Sequence, residues 1–93
     1  MMIKSWKHKG LKLFYETGST AKINPAHADK LHDILQALDF VTTPKQMNFP
    51  GLDLHQLKGK LKDFYAVKVS GSWRVIFMFE GQHVILVDYL DYH

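Results

Sequence analysis

The first half of the chain carries apolar residues at helical spacing. In residues 8–18 they recur every three or four positions, which predicts an amphipathic helix that ends at Gly18. Residues 23–39 repeat the pattern after Asn24, a suitable N-cap, and Pro25, which is favoured at the first helical position. The apolar positions are Leu11, Phe14 and Tyr15 in the first segment and Leu31, Ile34, Leu35 and Leu38 in the second. Two helices are therefore predicted, each with one face available for a core.

The second half is patterned as strands. From Leu54 onward, β-branched and aromatic runs are separated by turn signals at residues 70–72 (SGS) and 80–82 (EGQ), which predicts an antiparallel meander. Residues 2–6 are predicted as a short first strand, and the proline- and glycine-containing residues 40–53 as a loop. Few runs alternate cleanly, so much of the sheet is expected to be covered on both faces. The predicted fold class is α+β, with an N-terminal strand and two helices packed on a mainly antiparallel sheet.

Size and composition restrict the class of protein more than its function. The 93 residues fit one domain, 1–93, with one substantial core. No apolar run approaches the ~20 residues that a membrane span needs, and the start lacks the apolar stretch of a secretory signal. The absence of cysteine is compatible with a cytoplasmic protein. The net charge of +3, from eleven lysines and the single arginine Arg74, mildly suits a polyanionic partner but does not identify one.

Four of the six histidines are predicted to have structural or surface roles. His27 and His32 lie five apart on the second helix and point to different sides, so both are predicted to be surface residues. His8 is placed to cap or pack at the start of the first helix, and His83 to begin the last strand.

The other two histidines, His55 and His93, suit proton transfer near neutral pH. Side chains that could assist them are Lys58, Arg74, Asp91 and Tyr92. This set matches metal-free RNA cleavage, in which a base activates the ribose 2′-hydroxyl, an acid protonates the leaving oxygen and a cation stabilises the phosphate. The residues alone leave another interpretation open: His55 at a strand edge and Asp91–His93 as a polar tail. A metal site is not predicted, since Asp91 and His93 offer only two ligands, and no cofactor is expected.

A row of lysines follows His55. If residues 58–62 (KGKLK) are extended, Lys58, Lys60 and Lys62 project to one side and could bind phosphate. Lysines also protect edge strands against aggregation, and the two roles are compatible.

The strand after the SGS turn predicts a core face and a functional face. Trp73, Val75, Phe77 and Phe79 share one face and are predicted to pack against the helices. Arg74 then projects to the opposite face, where a lone guanidinium needs an anionic partner or water. We expect that partner to be a phosphate.

Five segments in order carry a family resemblance: IKSWKHKGLK, PAHADKLHDILQALD, LHQLKG, SWRVIF and the terminal DYH. Together they resemble the HigB toxins of type II toxin–antitoxin systems, in the RelE/ParE superfamily. The resemblance spans nearly the whole chain and is weakest across residues 40–53. It implies a RelE-like microbial-ribonuclease fold and a ribosome-dependent endoribonuclease, an mRNA interferase held inactive by a HigA-like antitoxin in a toxin–antitoxin hetero-oligomer.

The resemblance also implies functions for particular residues. The positions matching the family's functional residues are His55, Lys58, Arg74, Asp91, Tyr92 and His93. His55 and His93 are expected to move protons, with Asp91 orienting a ring or acting as base. Lys58 and Arg74 would neutralise the phosphate, with Lys60 and Lys62 beside them, and Tyr92 would stack on or hydrogen-bond the nucleotide.

Three other functions remain as alternatives. A non-catalytic module could bind RNA or the ribosome and block translation without proton-transfer groups. A toxin of the ParE branch would act on DNA gyrase, although the terminal DYH is not expected there. A metal-dependent hydrolase would lose its activity in chelator.

Overall fold

The structure, a computed structural model, describes residues 3–91 and has the predicted α+β architecture. Its helices are α1 (Lys9–Thr17) and α2 (Ala28–Phe40), and its strands are β1 (His55–Gln56), β2 (Tyr65–Ser70), β3 (Trp73–Glu80) and β4 (His83–Asp91). The strands form one antiparallel sheet in the order β1-β2-β3-β4. The predicted antiparallel meander is therefore confirmed. Among residues 3–91, no helix is long and apolar enough to cross a membrane.

The predicted N-terminal strand is reduced to two isolated parallel bridges. Ile3 pairs with Val84 and Trp6 with Val87, so the segment follows the outer edge of β4 without forming a continuous ladder. Between the bridges, the Ser5 hydroxyl accepts a hydrogen bond of 2.9 Å from a backbone N–H of β4. A side chain thus takes the place of a backbone group at this edge. Met2, the predicted first residue of the strand, lies outside the described residues.

The helix ends follow the predicted capping residues. His8 caps α1, its Nδ1 accepting a backbone N–H of the first turn at 2.8 Å. Gly18 ends the helix in the left-handed region, with φ 78°, and donates its N–H to the Phe14 carbonyl at 2.7 Å. Asn24 caps the second segment as predicted, but residues 25–27 form a 3₁₀ turn before α2 begins.

Much of the sheet is covered on both faces, as the lack of clean alternation predicted. Trp73, Val75, Phe77 and Phe79 of β3 belong to the main core, between the helices and what we call the helix-side face of the sheet. The predicted core face is therefore confirmed. On the other side, which we call the outer face, a second apolar cluster forms around Leu57, Phe64, Ala66 and Ile76. This cluster covers the outer face at one end and leaves the other end open.

A hydrogen bond joins the two helices. The Tyr15 hydroxyl of α1 donates to Asp39 Oδ2 of α2. Burial, followed by the hydrogen bond and the charge of Asp39, raises the pKa of Tyr15 to about 12. Asp39 Oδ1 is buried and has no hydrogen-bond partner within residues 3–91. The phenol is therefore the principal described partner of this carboxylate.

We expect Tyr15→Phe to lower the free energy of unfolding by about 1–3 kcal/mol, because it leaves a half-buried carboxylate without its donor. The loss should be smaller when Asp39→Asn is already present. Urea unfolding of the wild type, the two single variants and the double variant measures this coupling. The pH dependence has a defined sign. Because the pKa of Tyr15 is higher in the folded state, this stability is complete below the ordinary tyrosine value of 10.0 and is lost as the pH rises through about 12. If Tyr15→Phe lowered the free energy of unfolding equally with and without Asp39→Asn, the Tyr15–Asp39 hydrogen bond would be contradicted as the source of this stability.

Candidate active site on the outer face of the sheet

The strand register gathers four ionisable residues on the outer face. One row across the sheet contains His55, Ala66, Ile76 and Asp88, and the next contains Lys68, Arg74 and Leu90. Directly opposed residues on antiparallel strands project from the same face, and diagonal neighbours lie about 7–8 Å apart. His55 is diagonal to Lys68, and Asp88 is diagonal to Arg74. We call His55, Lys68, Arg74 and Asp88 the outer-face site.

His55 presents one ring nitrogen for proton transfer. The imidazole is exposed, and its Nδ1 lies 3.0 Å from the Asp53 carbonyl oxygen. A carbonyl only accepts, so Nδ1 carries the proton, and Nε2 of the neutral ring is the acceptor. Asp53 adopts φ 50°, a left-handed conformation that Asp tolerates better than most residues. This hydrogen bond therefore makes Nε2 the ring nitrogen that is available as a general base.

Arg74 is held at the β2–β3 turn by backbone carbonyls. Its Nη1 donates to the carbonyls of Gly71 at 2.6 Å and Trp73 at 3.0 Å. Both hydrogen bonds that the guanidinium makes within residues 3–91 come from Nη1, so Nε and Nη2 retain the forked geometry that suits a phosphate. The side chain is half-buried on the outer face, as the strand alternation predicted. A cation fixed in this way loses little entropy when an anion binds.

Asp91 reaches the same end of the sheet from the other face. It pairs with Trp73, a helix-side residue, and its Oδ1 accepts a hydrogen bond from the Ser72 hydroxyl. Ser72 follows Gly71, whose carbonyl holds Arg74. The two-residue turn therefore anchors both Asp91 and Arg74, although their side chains lie on opposite faces of the register. Tyr92 and His93 lie outside the described residues.

The predicted extended lysine row is wrong. Residues Gly59–Leu61 form a 3₁₀ turn, with Lys58 at its N-cap and Lys62 at its C-cap, so the lysines do not alternate along a strand. The reason is packing: Leu57, Leu61 and Phe64 all join the outer-face cluster, and the chain must turn back to bring them together. Lys58, Lys60 and Lys62 remain exposed on this turn. They extend the positive charge beyond the covered end of the outer face.

The surface prediction for His27 is also wrong, whereas His32 is exposed as predicted. His27 Nδ1 lies 2.7 Å from the Tyr89 hydroxyl, and its ring packs edge-on against Trp73 and Tyr89. Burial raises the pKa of Tyr89, and a hydrogen bond with the Asn24 backbone acts in the opposite direction. The phenol and the imidazole therefore satisfy each other's hydrogen-bonding needs inside the core. This contact ties the start of α2 to β4, two residues before Asp91.

Sequence reasoning missed two members of the outer-face site, Lys68 and Asp88. Each is a single charge within an apolar run, Lys68 between the buried Val67 and Val69 and Asp88 between the buried Val87 and Tyr89. A lone charge between two buried strand residues indicates the solvent-facing side, and that signal was available. Which other residues share that side depends on the register, which the sequence does not specify.

Two surface cavities lie away from this site. One, of about 330 Å³, lies between α2 and the loop that follows it, and is lined by Ile34, Phe49 and their neighbours. The other, of about 370 Å³, lies beside the N-terminal segment and α1. Within residues 3–91, no three His, Asp or Glu side chains converge as a metal site would require. The outer-face site is an open, charged surface, which suits an extended substrate better than a small enclosed molecule.

Comparison with known proteins identifies the family. A family model for the RelE-like toxin of the type II toxin–antitoxin system HigB matches residues 4–93. The chain belongs to this family. Endoribonuclease HigB of Proteus vulgaris is 39% identical over 92 residues, which cover 99% of this chain and 100% of that protein. Membership confirms the expected type II toxin and implies an antitoxin as its partner.

A solved structure confirms the expected RelE-like fold. The YoeB dimer from Staphylococcus aureus superposes with a TM-score of 0.57, covering 100% of this chain and 97% of the YoeB chain. The two sequences are only 15% identical, so this similarity concerns the fold alone.

Proposed function

We propose that this HigB-family toxin is a ribosome-dependent endoribonuclease that cleaves mRNA during translation, by metal-independent acid–base chemistry. The full-length relative named as an endoribonuclease supports the ribonuclease activity. The observation that carries the chemistry is the register, which brings an available imidazole nitrogen and a fixed guanidinium to one open face. We take residues 1–93 as a single toxin domain.

In the proposed reaction, a base removes the proton from a ribose 2′-hydroxyl, and the 2′-oxygen forms a bond to the adjacent phosphorus. The bond from phosphorus to the 5′-oxygen breaks, and an acid protonates that oxygen. The products are a 2′,3′-cyclic phosphate and a 5′-hydroxyl. His55 and His93 serve as the proton-transfer pair, with Asp91 orienting a ring or acting as base.

The remaining site residues act on the phosphate and the nucleotide. Arg74 and Lys58 neutralise the phosphoryl oxygens, as electrostatic stabilisation of a developing charge requires. Lys60, Lys62 and the newly recognised Lys68 add positive charge along the RNA. Tyr92 stacks on or hydrogen-bonds a nucleotide base. An open site with few groups benefits from a ribosome that aligns the attacking and leaving oxygens.

The partners and compartment follow from this activity. The antitoxin implied by the family is proposed to be HigA-like and to form a hetero-oligomer with the toxin. The macromolecular substrates are mRNA and the ribosome, which place the toxin in the cytoplasm.

The decisive test is primer extension on a defined mRNA after brief induction of the chain without its antitoxin. New 5′ ends within translated codons are expected, and they should be absent from the double variant His55→Ala, His93→Ala. Growth arrest with intact mRNA would contradict the proposal and favour a blocking module, or a gyrase inhibitor if DNA damage follows. Loss of cleavage in chelator would contradict the metal-independent chemistry.

A further inference from the structure

The positive charge of this chain is concentrated at its start. Residues 1–15 contain four lysines and no carboxylate, whereas residues 16–93 contain eight basic and nine acidic side chains. The first part therefore carries a formal charge of +4 and the rest −1, which together account for the net +3. The outer-face site, although basic, contains Asp88 among its four residues. Three of the four lysines in residues 1–15 lie away from the proposed catalytic surface.

Three of these lysines surround one cavity. The cavity of about 370 Å³ is lined by Lys4, Ser5, Trp6, Lys9 and Lys12, a set with no carboxylate. The fourth lysine, Lys7, lies elsewhere, with its Nζ 5.9 Å from the centre of the Phe64 ring on the outer face. We call the first five residues the N-terminal basic cavity.

The side chains of this cavity suit a nucleic acid backbone. Three ammonium groups supply charge, and the Ser5 hydroxyl can donate its proton because its oxygen already accepts the Leu86 N–H. Trp6 is half-buried against Tyr15, with ring centroids 5.2 Å apart, so its ring is held in place at the cavity. Lysines that follow a backbone beside an aromatic ring are typical of single-strand binding surfaces.

The placement of Lys9 and Lys12 adds a second argument. Both lie at the start of α1, whose first turn contains no acidic residue. Cations at the positive end of the helix dipole are unfavourable. The helix therefore holds positive charge where stability alone favours a carboxylate, and an anionic ligand would relieve this repulsion.

The cavity is separate from the proposed catalytic surface. It lies along the outer edge of β4, where Ile3 and Trp6 form their bridges, whereas His55 is on β1 at the opposite edge. Three strand spacings separate β4 from β1, and the bridged N-terminal segment adds a fourth, so the segment and β1 are roughly 19 Å apart. RNA phosphates bound in the cavity are therefore different from the phosphate that is cleaved at the outer-face site.

We propose that the N-terminal basic cavity is a second RNA-binding site, which holds the phosphate backbone of a strand that is not cleaved. The backbone could belong to ribosomal RNA or to a remote part of the mRNA, and the chemistry of recognition is the same for both. The proposal deepens the proposed function by naming a docking surface, and it rests on that function only for the choice of RNA as ligand. An acidic protein segment is the competing occupant.

The test compares two double variants of equal charge. Lys9→Gln with Lys12→Gln removes two cavity lysines, and Lys30→Gln with Lys45→Gln removes two lysines outside it. The probes are a 2′-O-methyl RNA oligonucleotide, which lacks the attacking hydroxyl, and purified ribosomes without mRNA. Binding is measured against salt concentration. Because neither probe requires cleavage, a failure of this proposal is distinguishable from a failure of the catalytic one.

We expect the cavity variant to reduce the magnitude of the log–log salt slope by about 1.4 for the single-stranded oligonucleotide, or about 1.8 where the contacted ribosomal RNA is duplex. The control variant should retain the wild-type slope. Weaker binding to the empty ribosomes would assign the strand to ribosomal RNA, and weaker binding to the oligonucleotide alone would assign it to mRNA. Lys9→Arg with Lys12→Arg should restore the slope and exclude a folding defect.

Two results would overturn the proposal. One is an equal salt slope in the cavity and control variants for both probes. The other is unchanged RNA binding combined with weaker binding of the cavity variant to its antitoxin, which would assign the surface to a protein partner.

Discussion

Replacing His55 by alanine should lower the rate of mRNA cleavage about 10²-fold or more, as expected for the loss of a proton-transfer group. The hydrogen bond from Nδ1 to the Asp53 carbonyl leaves Nε2 to exchange the proton. The same loss is expected for His93→Ala, its proposed partner in proton transfer. The measurement is the single-turnover rate of product formation on ribosomes programmed with a defined mRNA, with toxin in excess, so that binding does not limit the rate.

The matched control for this prediction is His83→Ala. His83 is also an exposed histidine on a strand, but it begins β4 opposite Glu80, at the end of the sheet away from Arg74. We expect the His83 variant to cleave at the wild-type rate. If His55→Ala also retained that rate, His55 would have no part in proton transfer. If the two variants lost activity equally, the effect would be general to the fold and the outer-face site would lose its main support.

The helices could be predicted from sequence because their signals are local. The cap at His8, the left-handed stop at Gly18 and the cap at Asn24 each depend on a few adjacent residues. The alternation across β3 was equally local, and it placed Phe77 in the core and Arg74 on the outer face. These features require no knowledge of which strands pair.

The face on which Asp91 lies could not be predicted, because it depends on a bulge in β4. The register between β3 and β4 shifts between Ile76 and Met78, and Leu86 adopts φ 54°. Ile85 opposes Met78 and Leu86 joins the outer-face cluster, so two consecutive residues serve the same face. A shift of one residue reverses the face of every later side chain. Asp91 consequently pairs with Trp73 on the helix-side face, whereas Asp88 pairs with Ile76 and belongs to the outer-face site.

The two wrong predictions share a physical cause, which is tertiary packing that overrides a local preference. His27 has a polar ring at the start of a helix, which favours a surface position. The Tyr89 hydroxyl hydrogen-bonds its Nδ1, and this removes most of the free-energy cost of burying the ring. Residues 58–62 would suit an extended edge strand. A turn instead lets Leu57, Leu61 and Phe64 bury their apolar surface against the sheet, which is the more favourable arrangement. Both outcomes depend on residues distant in sequence or on the shape of the sheet.

Phe77→Ala should lower the free energy of unfolding by about 3–5 kcal/mol, the usual range for truncating a buried aromatic residue. Phe77 has no exposed surface and lies at the centre of the helix-side core, with Tyr65 at 6.2 Å and Phe79 at 6.1 Å between ring centroids. Urea unfolding followed by circular dichroism measures the change, provided that the slope with denaturant stays constant. For a domain of this size, each kcal/mol corresponds to a decrease of about 4–8 °C in Tm.

Phe40→Ala is the matched control, because it removes the same side chain from a position that is 83% exposed at the end of α2. We expect it to change stability by no more than about 0.5 kcal/mol. A small loss for Phe77→Ala would mean that the helices do not pack on this face of β3, and the assignment of the opposite face to RNA would fall with it. The large and small losses together would establish which side of the sheet is closed, because only the open side is available to a substrate as extended as mRNA.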